Sequence, residues 1–307
     1  MADRDVVGGG IARIESGLAA AARRLGRVRA ARERRRGSPE AVRGGYAAAY
    51  EPDLLPPPER MLDEGIEVLE EWFRWGEEWA VLLRVHAGLG ADSDVLEIGC
   101  GQGRIAYCLR IVLFGEGSYR GFDINRGKIE ALQSRFTPAH PRFRFHYADI
   151  HNTHYNPGGT VTPERYEFPF PDESFDVVFA ASIFTHMGPA TTARYVAETA
   201  RVLRPGGRAL FSFFLLDGYL AGRPRPQGFA RPDFDFDHVH PGWDEGVGIA
   251  FSDDPERMTA YRVSLIERMA ADAGLELAGP PIDGLWSGAH RRWAGAQDLV
   301  VLRRPEA

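Results

Sequence analysis

Residues 95–105 read VLEIGCGQGRI. A short apolar run carries Glu97 near its end. Three glycines follow at alternate positions, Gly99, Gly101 and Gly103, and then a run that suits a helix. Glycine lets a backbone turn sharply and lie flat against a ligand. A strand, a glycine turn and a helix make the nucleotide-binding corner of doubly wound sheets. The dinucleotide fingerprint G-x-G-x-x-G aims helix N–H groups at a pyrophosphate. Here the spacing is E-x-G-x-G-x-G, and Glu97 would repel a phosphate. The pattern suits a ligand with a cationic end and no phosphate. Further along, His186 stands in SIFTHM, and His238 and His240 stand in FDFDHVHPGWDE among Asp235, Asp237, Asp244 and Glu245. Imidazole titrates near neutrality and can take or give a proton there.

S-adenosylmethionine carries an ammonium and a sulfonium and no phosphate, which matches that corner. The later segments follow in a familiar order. YRGFDIN at 119–125 places Asp123 at the end of a second strand, and FRFHYADI at 143–150 places Asp149 at the end of a third. SFDVVFAASIFTHM at 174–187 reads as a fourth strand with its exit loop. LRPGGR at 203–208 turns into a fifth, ALFSFFLL. From about residue 90 to 216 the chain resembles the class I S-adenosylmethionine-dependent methyltransferases, of the bacterial small-molecule kind. The resemblance implies that Glu97, Gly99, Cys100, Gly101 and Gly103 form the cofactor corner. It implies that Asp123, with Ile124 beside it, takes the ribose hydroxyls. Asp149 takes the adenine amino group, Ile150 lies against the ring, and Ser182 borders the site. Arg104 either holds the cofactor carboxylate or caps the loop. The implied cofactor is S-adenosylmethionine, and the product is S-adenosylhomocysteine.

These residues need a scaffold. The chain has 307 residues, 44% of them hydrophobic, enough for one large core plus accessory segments. Strand and helix patterns alternate, which argues for a parallel sheet. Strands are expected near 94–98, 119–123, 143–147, 175–181 and 208–216. Helices are expected near 103–114, 126–136, 190–203 and 255–274. LELAGPP and DLVVLRR close the sheet. The expected fold is α/β, a Rossmann-like doubly wound sheet of seven strands, mostly parallel with one antiparallel strand. N-terminal helices and loop insertions would form an acceptor cap. Glu59 to His86 reads as one or two helices, with Trp72, Phe73, Trp75 and Trp79 either sealing the sheet or lining a pocket. Inserted loops, one after Asp149 and one from Asp217 to Asp254, lie at the carboxyl edge where ligands bind in such folds.

Residues 1–45 carry 11 arginines against 5 acids, a net of +6, which leaves −12 for the rest. The acidic body argues against nucleic acid as a partner. The Arg-rich segment could form a basic amphipathic helix that meets an acidic surface, or a partly flexible leader. With the PDLLPPPE break, the expected division is a leader and proline linker over 1–58 and a methyltransferase domain over 59–307. Cys100 and Cys108 suggest neither a disulfide framework nor a metal cluster. No run approaches a membrane span, so a cytoplasmic protein is expected.

Methyl transfer from a sulfonium is an in-line displacement by an acceptor that the protein aligns. A hydroxyl acceptor also needs a base, and His186, just past the fourth strand, is the first candidate, with His238 and His240 next. The H-x-H motif is read as an acceptor-facing loop rather than a metal site, and no metal is expected. The D-x-H-x-x-H of Asp149, His151 and His154 is set aside because Asp149 has the adenine role. GLWSGAHRRWAGAQD, with His290, Gln297 and Asp298, is either a further rim of the pocket or a surface loop. The expected acceptor is a small molecule with a hydroxyl, a sugar or another secondary metabolite. The alternatives are N-methylation of an amine-bearing metabolite and a non-catalytic S-adenosylmethionine-binding scaffold subunit. The second would show a degraded glycine loop or a lost ribose acid, and neither is degraded here.

Overall fold

Parallel strands are covered on both faces and therefore read as apolar runs. The first, β1 (Val95–Ile98), is buried at all four positions. The computed structural model describes residues 51–153, 155–220, 235–287 and 294–306. The Arg-rich leader, His154 and His290 lie outside them. The chain divides into two units, residues 1–74 and 75–307. In the first, α1 (Pro58–Asp63) starts on a proline at its first turn, where the missing N–H costs nothing. The helix α2 (Leu69–His86) begins there and runs on into the second unit, and Trp72 meets Phe73 edge to face at 5.4 Å.

The second unit holds the sheet. From β1 the glycine turn leads into α3 (Arg104–Leu109). Then come β2 (Tyr119–Asp123), α4 (Arg126–Ala139), β3 (Phe143–Tyr147) and β4 (Phe175–Ala180). Next are α5 (Pro189–Val202), β5 (Leu203–Phe213) and α6 (Leu216–Leu220). Asn125 caps α4 by accepting the Lys128 N–H at 3.1 Å. A small hairpin pairs β6 (Val247–Ile249) with β7 (Thr259–Tyr261). The chain closes with α7 (Val263–Asp272), β8 (Glu276–Leu277) and β9 (Asp298–Arg303).

The seven-stranded sheet runs β3-β2-β1-β4-β5-β9-β8. β9 is antiparallel to both neighbours and the other pairings are parallel. This is the expected Rossmann-like α/β sheet. The order reverses between β1 and β4, and in such sheets the crevice at that reversal is where ligands bind. Leu96, Ile98, Phe122, Val178 and Phe211 fill one face of the sheet. On the other, Trp79 stacks on Phe179 at 5.8 Å.

Three elements differ from expectation. The last helix begins at Val263, not near 255. Pro255–Arg257 makes a single 3-10 turn, and Thr259–Tyr261 pairs as β7. Tertiary contacts decide this: Tyr261 is fully buried, its N–H donates to the Phe214 carbonyl at 2.8 Å, and its hydroxyl meets Thr192. The fifth strand starts at Leu203, five residues early, because Leu203 pairs with Phe175 across an irregular step in register. The helix after the glycine turn ends at Leu109 rather than near 114. Beyond it the chain must reach Gly115, whose N–H donates to the Ala91 carbonyl.

Candidate active site

The glycine turn is held from two sides. Gly99, Gly101 and Gly103 have φ of 73°, 53° and 81°, a region that favours glycine. The N–H groups of Gly99 and Cys100 both donate to the Phe122 carbonyl, at 2.9 and 3.0 Å. A Cβ at Gly99 would stand 2.1 Å from Ile183 Cδ1, so the turn lies directly against the exit of β4. Asp123 is the latch. Its Oδ2 accepts the Gly101 N–H and its Oδ1 the Asn125 N–H, both at 2.8 Å.

Glu97 is buried behind this turn, 2% exposed, and Tyr119 donates its hydroxyl to Oε2. Burial pushes the carboxyl up to about 8, while the Tyr119 hydroxyl and the Arg104 charge pull it down. Cys100 is buried and its thiol is pushed well up, chiefly by burial. Arg104 starts α3 and lies 5.6 Å from the Trp75 ring centre. Asp149 accepts the Thr160 hydroxyl at 2.6 Å and the Tyr147 hydroxyl at 2.9 Å, and these bonds hold its carboxyl below the usual range. Ile124 is half-buried against the main core, and Ile150 is buried within it. Ser182 is exposed at the exit of β4 with φ of 57°, a strained value for a residue with a side chain. Its N–H donates to Ser212 Oγ at 2.8 Å and its hydroxyl to Gln297 at 3.0 Å. Ser182, Ser212 and Gln297 share a small cavity of about 60 Å³ with Trp75 and Trp79.

His186 sits half-buried on a 3-10 turn, Phe184–His186. Its ring lies 6.5 Å from Tyr155, edge to face. Two residues on begins a much larger cavity of about 630 Å³, lined by Thr153, Glu164, Gly188, Thr191, His240, Trp243, Asp253, Asp254 and Glu256 among others. Trp243 packs so closely over Gly188 that a Cβ there would meet it at 2.8 Å. His238 and His240 part company. His238 is exposed and pairs through its backbone with Ile249. His240 reaches the cavity beside Trp243, ring centres 4.6 Å apart.

The other acids of that loop have structural partners or face solvent. Asp235 accepts the Tyr219 hydroxyl at 3.0 Å, and Asp244 pairs with Arg268 at 2.9 Å. Asp237, Glu245 and His151 are exposed. Asp298 is buried and accepts from Leu215 N, Gly284 N and Trp286 Nε1, so it ties loop ends together. Its burial pushes the carboxyl up. Sequence reasoning missed Tyr119, Ser212, Tyr155, Thr160 and Trp243. Among the described residues, no three of His, Cys, Asp and Glu gather as metal ligands. No helix among them is long and apolar enough to cross a membrane.

Residues 95–207 match a family model described as a methyltransferase domain. The chain is 32% identical over 156 residues to a 27-O-demethylrifamycin SV methyltransferase of Amycolatopsis mediterranei, covering 50% of this chain and 49% of that protein. It is 35% identical over 125 residues to a phthiotriol/phenolphthiotriol dimycocerosates methyltransferase of Mycobacterium ulcerans, 40% and 38% of the two chains. It is 29% identical over 185 residues to a fatty-acid O-methyltransferase of Mycolicibacterium smegmatis, 59% and 52%. The chain thus spans about half the length of the curated relatives it matches.

Proposed function

We propose that this chain, whose residues 95–207 match a methyltransferase domain, moves a methyl group from S-adenosylmethionine to a hydroxyl of a bulky polar small molecule, a sugar or another secondary metabolite. One observation carries the reading. Within five residues the exit of β4 touches the glycine turn at Ile183, presents His186, and opens the large cavity at Gly188. Cofactor corner, candidate base and the wall of the acceptor space therefore follow one another along a single short segment.

The residues fit the cofactor. The turn packs against Ile183 at Gly99, and Asp123, held at the end of β2 by the Gly101 and Asn125 N–H groups, would take the ribose hydroxyls. Asp149, aimed by Tyr147 and Thr160, would take the adenine amino group. Ile124, Ile150, Cys100 and Ser182 border that space, and Glu97 would answer the ammonium. When bound, S-adenosylmethionine supplies a methyl already activated by its sulfonium. The protein's own work is alignment, exclusion of water and removal of one proton. In this reading His186 accepts the proton the hydroxyl loses as its oxygen bonds to the methyl carbon. His240 and Trp243 orient the acceptor in the cavity.

Relatives named for a demethylrifamycin and for a fatty acid support a bulky acceptor. A second reading has its own support: Glu164, Asp253, Asp254 and Glu256 line the cavity with carboxylates, which suits an acceptor bearing an amine. The test is calorimetry with S-adenosylmethionine, followed by mass spectrometry after incubation with sugars, amino sugars and hydroxylated polyketides. A product heavier by one methyl on oxygen supports the first reading, and on nitrogen the second. Absence of cofactor binding refutes both.

A further inference from the structure

The buried pair of Glu97 and Tyr119 has a job the fold alone does not require. Parallel pairing sets Glu97 opposite Gly121, two residues from Tyr119 on the same face of β2. A Cβ at position 121 would stand 2.7 Å from the Tyr119 hydroxyl oxygen and 2.8 Å from Cys100 Cβ. The glycine thus leaves a hollow through which the hydroxyl reaches Glu97 Oε2. The Tyr119 ring is fixed by Phe143, stacked at 5.1 Å, and by Phe145 at 5.6 Å. Among the described residues, no arginine or lysine forms an ion pair with Glu97. Burial makes this carboxyl costly to ionise, and it stands at the carboxyl end of β1, beside the glycine turn.

We propose that Tyr119 is a positioning residue for the methyl donor: by holding Oε2 it aims the Glu97 carboxylate at the ammonium end of bound S-adenosylmethionine. This rests on the cofactor assignment above. Four groups face Glu97 or its surroundings. Tyr119 and Arg104 favour its charge, Asp123 opposes it, and Cys100 stays a neutral thiol. Burial pushes the carboxyl up to about 8. Pairing with an ammonium needs the ionised form, so the carboxyl's proton passes to solvent as the donor binds. The ligand's own amine keeps its proton at about pH 6.5, since α-amino groups titrate near ~8.

Calorimetry of the full-length protein with S-adenosylmethionine, at about pH 6.5 in two buffers of different ionisation enthalpy, counts that proton. The expected result is release of close to one proton per donor bound. Tyr119→Phe keeps the ring stack and should lower affinity on the order of tenfold, with release persisting to higher pH. Glu97→Gln should abolish the release, and serves if the Phe variant fails to fold. Donor binding without proton release overturns the inference alone. So does a folded Tyr119→Phe variant with unchanged affinity and pH profile. Absence of donor binding across about pH 6–9 overturns the cofactor assignment and the inference with it.

Discussion

Replacing Asp123 by alanine removes two things at once, and the structure separates them. The carboxylate accepts the N–H of Gly101 and of Asn125, each at 2.8 Å. A hydrogen bond to a charged group contributes about 1.5–3 kcal/mol. Asp123 is half-buried, so water recovers part of that for the freed N–H groups. A net loss of about 2–3 kcal/mol is expected, well inside the ~5–15 kcal/mol of an ordinary domain, so Asp123→Ala stays folded. Urea unfolding followed by tryptophan fluorescence measures this. Donor binding suffers twice: the turn loses its latch and the ribose hydroxyls lose their acceptor. Affinity should fall at least tenfold, and about a hundredfold if both hydroxyl bonds are lost. Titration calorimetry reads that number. A variant with lowered stability and unchanged affinity would show Asp123 to be a latch only, and would refute the ribose role.

Gly99→Ala should lower the thermal stabilisation that S-adenosylmethionine gives, because its Cβ strains a φ of 73° and displaces the Ile183 side chain that packs on the turn. Gly274→Ala is the control, with φ of 77° and nothing within 4 Å, and it should cost about 1 kcal/mol while keeping donor binding. His186→Ala should lower kcat by ~10²–10⁴ and leave donor affinity unchanged. His186→Asn keeps a hydrogen bond without basicity, so rescue by it assigns positioning, and a wild-type rate in the alanine variant moves the search to His240. Glu97 gives a pH signature of its own. Its native carboxyl holds a proton up to about 8, whereas its ordinary value is 4.5. In that window the native state binds more protons than the unfolded chain, so this group's contribution to stability is lost as pH rises. Without ligand, Glu97→Gln should flatten the decline by a few kcal/mol between about pH 5 and 9. Equal slopes in urea titrations of wild type and variant would contradict it.

The sheet was legible because strands such as VLEI and FDVVFA are short buried runs closed by chemically distinct residues. Asp123 ends its strand, Asp149 stands two residues past the next, and the glycines follow the first, where all three take positive φ. What stayed hidden depends on register or on distant loops. Tyr119 reads as an ordinary core aromatic until β1 and β2 are set side by side, when Gly121 falls opposite Glu97 and the Tyr119 hydroxyl reaches the carboxyl over it. The strand Thr259–Tyr261 sits in a stretch whose pattern reads as helix, and only a buried tyrosine and a partner strand turn it.

The large cavity makes the same point for the acceptor. Its walls come from positions as far apart as Thr153, Glu164, Gly188, His240 and Glu256. No spacing rule links such residues. In extended backbone the two imidazoles of an H-x-H motif share a side, but only His238 belongs to the bridged stretch, and the chain leaves it for the turn at 241–242. His238 stays at the surface beside its bridge to Ile249, and His240 turns inward against Trp243. The proposed donor site is local in sequence because it is built from turns at strand ends. The cavity proposed for the acceptor is walled by segments that meet only in the folded chain. That is why the resemblance names the donor, and why the acceptor must be read from the charge and shape of the cavity: four carboxylates, one imidazole and one indole.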